Sequence, residues 1–155
     1  MKIVIGSDHA GYSYKSALIE LIKSMGHTVQ DIGTDSCKSV DYPDFGERGA
    51  RIVACGQADI GILVCGSGIG MDIVANKIRG IRSAVCWNVE TAKLARDHNN
   101  ANILCLGERL LSLEQCIEIT KTFINTPLSD EERHIRRVNK IIKIEERNQT
   151  CNDQF

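Results

Sequence analysis

Apolar residues fall in short, near-continuous runs separated by longer stretches with helical spacing. Residues 3–5 (Ile-Val-Ile), 60–65 (Ile-Gly-Ile-Leu-Val-Cys), 81–86 (Ile-Arg-Ser-Ala-Val-Cys) and 103–106 (Ile-Leu-Cys-Leu) read as buried strands, with a weaker one at 28–32. Runs without alternation mark a parallel sheet covered on both faces. Between them, Ala17, Leu18, Leu21 and Ile22 recur at helical spacing and predict a helix over 14–25, stopped by Gly26. Shorter helices are predicted over 45–55, weakened by Gly46 and Gly49, and over 73–77. Asn88 can cap a helix to about residue 97, without a full capping box because the third residue on is Thr91. A further helix is predicted over 113–123. Five βα units in one domain imply a doubly wound α/β architecture.

After 125–130 (Asn-Thr-Pro-Leu-Ser-Asp) the pattern changes. Ser129 or Asp130 can cap a last helix over about 130–146, which leaves 147–155 as a flexible tail. At about 100° per residue, Ile135, Val138 and Ile142 share one side of that helix. Arg133 and Arg137 lie opposite, with Arg136 on the flank. Such a helix either packs on a partner subunit or shows solvent a basic face, and both readings stand.

Composition bounds the function. At 155 residues, 43% hydrophobic and 25% charged, the chain can bury a core as one domain over 1–146. Nineteen basic against 20 acidic residues give a net charge of -1, so no general attraction to nucleic acid or to a membrane surface is expected. Seven cysteines without a CxxC pair signal neither a disulfide framework nor a thiolate zinc site, and suit a reducing cytosol. Residues 1–8 turn acidic too soon for a signal peptide, and no run of about 18 apolar residues is long enough to span a bilayer. A soluble, cytoplasmic protein is expected.

In an open parallel sheet, ligands bind at the carboxyl ends of the strands. Three unusual segments fall there: Gly6-Ser7-Asp8-His9-Ala10-Gly11, Cys65-Gly66-Ser67-Gly68-Ile69-Gly70, and Asp97-His98-Asn99-Asn100. The glycine cluster fails the dinucleotide fingerprint at Met71 and lacks the Gly-Lys-Ser/Thr of a P-loop. What survives is a run of small residues whose N–H groups can converge on an anion. Cys65, at a strand end before that run, suits a base or a nucleophile, whereas Cys55, Cys86, Cys105 and Cys116 read as core. His27 and His134 are expected at the surface. His9 and His98, in polar loops, can transfer a proton or hold an oxyanion. Asp8, His9 and His98 lack paired ligand spacing, so no metal is expected.

These motifs converge. The sequence resembles type B ribose-5-phosphate isomerases, a group that includes galactose-6-phosphate and allose-6-phosphate isomerases. The resemblance rests on Gly-Ser-Asp-His-Ala-Gly (6–11), Asp-Tyr-Pro-Asp-Phe (41–45), Cys-Gly-Ser-Gly-Ile-Gly (65–70), Ala-Asn-Lys (75–77), Gly-Ile-Arg (80–82), Arg-Asp-His-Asn-Asn-Ala-Asn (96–102), Leu-Gly-Glu-Arg (106–109) and Arg-His-Ile-Arg-Arg-Val (133–138). It implies a Rossmann-like three-layer sandwich with a five-stranded parallel sheet and an extra C-terminal helix. It also implies cofactor-free, metal-free interconversion of ribose 5-phosphate and ribulose 5-phosphate in the pentose phosphate pathway. The implied assembly is a homodimer or homotetramer with active sites between subunits. The catalytic set would be Cys65 as base, His98 as ring opener and Ser67, where the family often has threonine. Substrate contacts would be Asp8, His9, Tyr42, Gly66, Ser67, Gly68, Ile69, Gly70, Asn99 and Arg109, with Arg133 and Arg137 on the phosphate. A hexose-6-phosphate isomerase and a non-catalytic sugar-phosphate sensor are the competing readings.

Overall fold

The computed structural model describes residues 1–152, with side chains through Asn148. Five strands, β1 (Lys2–Ser7), β2 (Thr28–Asp31), β3 (Ile60–Cys65), β4 (Ser83–Val85) and β5 (Ile103–Gly107), form one parallel sheet in the order β2-β1-β3-β5-β4. Connecting and following them are α1 (Tyr12–Ser24), α2 (Tyr42–Ala54), α3 (Ile69–Ala75), α4 (Val89–Asn99), α5 (Leu113–Asn125) and α6 (Glu132–Asn152).

Strand side chains alternate between two cores, as the period of two requires. Ile3, Ile5, Ile62, Val64, Leu104 and Leu106 pack with Leu18, Ala92, Cys116 and Phe123, from α1, α4 and α5. Val4, Leu63, Cys65, Ile103 and Cys105 pack with Ala50, Val53, Met71 and Ala75, from α2 and α3. The result is the three-layer α/β sandwich. The chain leaves β1 toward β2 on one side and reaches β3 on the other, so the strand order reverses between β1 and β3. That is where such folds open a crevice.

The element boundaries correct several expectations. The second helix begins at Tyr42, with Asp41 as N-cap, and Pro43 sits in its first turn, where a missing N–H costs nothing. The third begins immediately after Gly68, four residues earlier than predicted. Asn88 does form a capping box: its side chain accepts from Thr91 N–H at 2.8 Å, while the Thr91 hydroxyl accepts from the Asn88 N–H at 3.2 Å. Cys55, expected in the core, ends α2 as an exposed C-cap. Residues 147–152, expected in a tail, continue α6, because no glycine or proline follows Glu146 to stop it. The rest of that expected tail, 153–155, lies outside the described residues.

The inward face of the sixth helix keeps two of its three predicted residues and gains His134 in place of Ile135. His134 and Val138 are buried and Ile142 half-buried, whereas Ile135 is exposed. This stripe packs on α4. No helix among the described residues is long and apolar enough to cross a membrane.

Candidate active site

At the carboxyl ends of β1, β3 and β5 a cleft of about 590 Å³ opens, lined by Asp8, His9, Tyr42, Cys65, Gly66, Ser67, Ile69, Gly70 and Arg109, among others. Cys65 ends β3 and is almost fully buried. The chain then folds around its sulfur, which accepts the Gly68 N–H at 3.2 Å. That contact needs Gly68 in the left-handed region (φ 79°), where a side chain would be strained and its Cβ would lie 2.9 Å from the Leu106 backbone. The Ser67 hydroxyl accepts the Ile69 N–H at 3.3 Å. Gly66 and Ser67 N–H groups have no acceptor among the described residues.

The walls are held from neighbouring strands. Glu108 N–H donates to Cys65 O at 2.9 Å and Arg109 N–H to Gly66 O at 3.0 Å, so the loop after β5 is strapped onto the glycine loop. The Arg109 guanidinium lies across Gly66, 3.2 Å from where a Cβ would stand. Asp8 is buried, and its Oδ1 accepts the N–H groups of Ala10 (3.0 Å) and Gly11 (3.1 Å), turning the chain into α1. His9 Nδ1 accepts the Val40 N–H at 3.2 Å, which puts the proton of the neutral ring on Nε2. The loop that carries Val40 is anchored by buried Lys15, which binds the Asp31 carboxylate at 2.8 and 2.9 Å and Thr34 O at 2.8 Å. Tyr42 closes the far side over Gly70, whose missing Cβ would sit 2.7 Å from the phenol ring.

The remaining predicted residues are elsewhere in the chain. His98 and Asn99 end α4, and Arg133 and Arg137 are exposed on α6; none of the four lines the cleft. Asn99 borders a larger groove of about 830 Å³ between the β4 edge and α6. That groove contains neither Cys65 nor the glycine loop, so its size does not make it the reaction site.

His134, expected at the surface, is the residue that sequence reasoning misplaced. Its ring stacks on His98 at 3.9 Å between centroids and 11° between planes. Its Nε2 accepts Arg133 Nε–H at 3.2 Å, and the same guanidinium pairs with Glu131, whose Oε2 lies 2.7 Å from that Nε. Burial, then the charges of His98 and Arg133, hold its pKa below the ordinary histidine value, with Arg137 adding to this and Glu131 opposing it. His98 itself has Asp97 Oδ2 at 3.6 Å from its Nε2. The available signal was the four-residue spacing of His134 and Val138, which continues to Ile142. No group of histidine, cysteine and carboxylate side chains among the described residues is arranged to hold a metal ion.

A ribose/galactose isomerase family model matches residues 3–141. The chain belongs to the ribose/galactose isomerase family. It is 39% identical over 150 residues to ribose-5-phosphate isomerase B of Mycobacterium leprae, covering 96% of this chain and 93% of that one. The structure of ribose-5-phosphate isomerase B from Clostridium thermocellum superposes with a TM-score of 0.92 at 47% identity, covering 96% and 99% of the two chains. That of the Mycoplasma genitalium isomerase B with bound ribulose-5-phosphate gives 0.88 at 37% identity, covering 94% and 96%. The family agrees with the cleft: a thiol, a loop of N–H groups and a free guanidinium suit aldose–ketose isomerisation of a phosphorylated sugar.

Proposed function

We propose that this protein is a ribose-5-phosphate isomerase of the pentose phosphate pathway, interconverting D-ribose 5-phosphate and D-ribulose 5-phosphate. The observation that carries the reading is the convergence of Cys65, the Gly66–Gly70 loop and Arg109 in one cleft, in a chain similar over nearly its whole length to an isomerase with ribulose-5-phosphate bound. Cys65, as thiolate, takes the C2 proton of the open-chain aldose. The electron pair moves into the C1–C2 bond and onto the C1 oxygen, giving an enediolate. Loop N–H groups stabilise that oxyanion; the C2 hydroxyl proton then passes to the C1 oxygen, and Cys65 returns its proton to C1 as C2 becomes the carbonyl. His98 opens the furanose by exchanging protons with the ring oxygen and the anomeric hydroxyl. Ser67 and Asn99 orient sugar hydroxyls, while Asp8, His9, Tyr42 and Arg109 line the sugar's path and Arg133 and Arg137 take the phosphate.

Two separated groups must meet for this chemistry, and a homodimer brings them together: the cleft of one subunit faces α4 and α6 of the other. In support, Ile69, Ile73 and Leu110 stand exposed at the cleft rim, an apolar border suited to a second copy. A homotetramer would pair two such dimers. The exposed free thiols of Cys37 and Cys55 fit a reducing cytoplasm.

The test incubates the protein with ribose 5-phosphate, allose 6-phosphate and galactose 6-phosphate, with and without a chelator, and follows ketose formation. Ribose 5-phosphate should win with chelator present. A higher kcat/KM for allose 6-phosphate overturns the substrate, activity restored only by a divalent ion overturns the metal-free chemistry, and binding without turnover makes the protein a sensor. Mixing Cys65→Ala with His98→Asn tests the shared site. Random exchange of subunits in a two-fold dimer restores about a quarter of wild-type activity if each site draws on both subunits, and nothing if each is self-contained.

A further inference from the structure

His134 stands between the two groups that the proposed reaction needs at opposite ends of the sugar. One face of its ring lies against His98, 3.9 Å away and nearly parallel, and its Nε2 receives the Nε–H of Arg133 at 3.2 Å. The ring is 3% exposed, so packing fixes it, while the His98 side chain is 38% exposed and the Arg133 side chain 57% exposed. Two solvent-facing groups on different helices therefore share one buried support. Glu131 pairs with the same guanidinium, its Oε2 2.7 Å from the Arg133 Nε. The fourth feature is an orphan: His134 Nδ1 is buried without a hydrogen-bond partner. A residue chosen for packing alone gains nothing from that buried polar atom, whereas an imidazole kept for its flat face and its Nε2 acceptor explains it.

We infer that His134 is a positioning residue with two separable arms, its ring face setting the plane of the ring-opening His98 and its Nε2 setting the fork of the phosphate-binding Arg133. This rests on the roles proposed above for those two residues. The arms come apart by substitution. His134→Phe keeps the flat face and removes the acceptor; His134→Gln keeps an acceptor and removes the face. The phosphate arm is read as the inhibition constant of inorganic phosphate. The ring arm is read as the initial rate of solvent-deuterium uptake from ribose 5-phosphate divided by that from ribulose 5-phosphate, which has no furanose to open.

His134→Phe should weaken phosphate inhibition roughly two- to tenfold, the scale of one lost hydrogen bond, with the rate ratio unchanged. His134→Gln should lower the rate ratio roughly two- to tenfold, the scale of one lost ring pair, with phosphate inhibition unchanged. His134→Leu, which lacks both features, should show both losses and serves if either variant fails a thermal-melting check. Equal movement of both readouts in the Phe and Gln variants, or no movement in either, overturns the inference in favour of simple packing. His98→Asn and Arg133→Ala run in parallel separate this from the reading beneath it. If His98→Asn leaves the ratio unchanged, ring opening lies elsewhere and the ring arm falls with it. If Arg133→Ala leaves phosphate inhibition unchanged, the phosphate arm falls. If both controls respond and the His134 variants do not, only the support role is lost.

Discussion

The cleft around Cys65 and the face shared by α4 and α6 are built in opposite ways. In the cleft, most of the proposed site around Cys65 is backbone: loop N–H groups, strand ends locked to one another, and glycines whose absent side chains leave room for Tyr42 and Arg109. On the helical face the proposed roles fall to long or exposed side chains, Arg133, Arg137 and His98, two of which contact one buried imidazole. Backbone sites are rigid before the substrate arrives, which is what stabilising a developing oxyanion demands. Side-chain forks on a helix are adjustable and suit gripping a phosphate far from the reacting carbons. The division of labour predicts which changes abolish the reaction and which only loosen the substrate.

The sharpest break in that contrast is Cys65→Ala. It removes the proposed base and leaves the phosphate contacts alone, so deuterium exchange at C2 should fall about 10²- to 10⁴-fold while phosphate affinity stays near wild type. Wild-type exchange by NMR assigns the base to another residue. Neutralising the helical face should do the reverse. Arg133→Ala or Arg137→Ala should raise KM, or the inhibition constant of a phosphorylated competitor, roughly ten- to thirtyfold, with kcat much less affected. Loss confined to kcat would place these arginines at the reacting carbons.

The two regions also differed in how far the sequence disclosed them. The cleft was legible because its parts are contiguous: residues 6–11 and 65–70 each lie within one strand-to-helix turn, and a parallel sheet sends all such turns to the same edge. The failed dinucleotide pattern and the surviving anion-binding loop both followed from residue identities. The helical face was not, because the inward stripe of α6 includes a histidine that hydrophobicity does not mark. Ile135, Val138 and Ile142 looked inward by hydrophobicity, whereas His134 and Val138 are the residues buried against α4. Apolar content alone could not outweigh a histidine whose flat face found another imidazole. Nor could spacing disclose that His98 and the arginines stand apart from the Cys65 cleft within the chain, since sequence order carries no distance. The expected end of α6 near 146 failed for a plainer reason: polarity alone does not end a helix that has no breaker.

A smaller perturbation tests whether the cleft is as rigid as its backbone suggests. Gly70→Ala brings a methyl to 2.7 Å from the Tyr42 ring. The atoms it meets belong to the far end of a side chain that is 40% exposed, so the ring can swing outward without unfolding anything. Alanine at a helical position also restricts the unfolded chain. Melting temperature should therefore hold or rise slightly, while KM rises a few-fold, roughly the effect of one misplaced contact. A variant that melts early shows Tyr42 to be a structural strut instead of a movable wall.

The smallest effect separates the two regions by pH. Burial is the main reason that His134 resists protonation in the folded protein, with the charges of His98, Arg133 and Arg137 reinforcing it against Glu131. Its folded pKa lies below the unfolded value of about 6.5, so between the two the unfolded chain holds more protons than the folded one. Above about pH 6.5 this group adds no pH dependence to folding. As the pH falls below that value it favours unfolding, and the penalty is complete once the folded pKa is passed. Urea midpoints at about pH 7.5 and pH 5.5 should show a drop in wild type that is smaller in His134→Phe, whose ring cannot titrate. The comparison matters because Asp97 and Glu131 flank the same rings and stay in place in the variant. Equal drops in the two proteins would mean that His134 accepts its proton freely, and that the helical face is as wet inside as it is at its arginines.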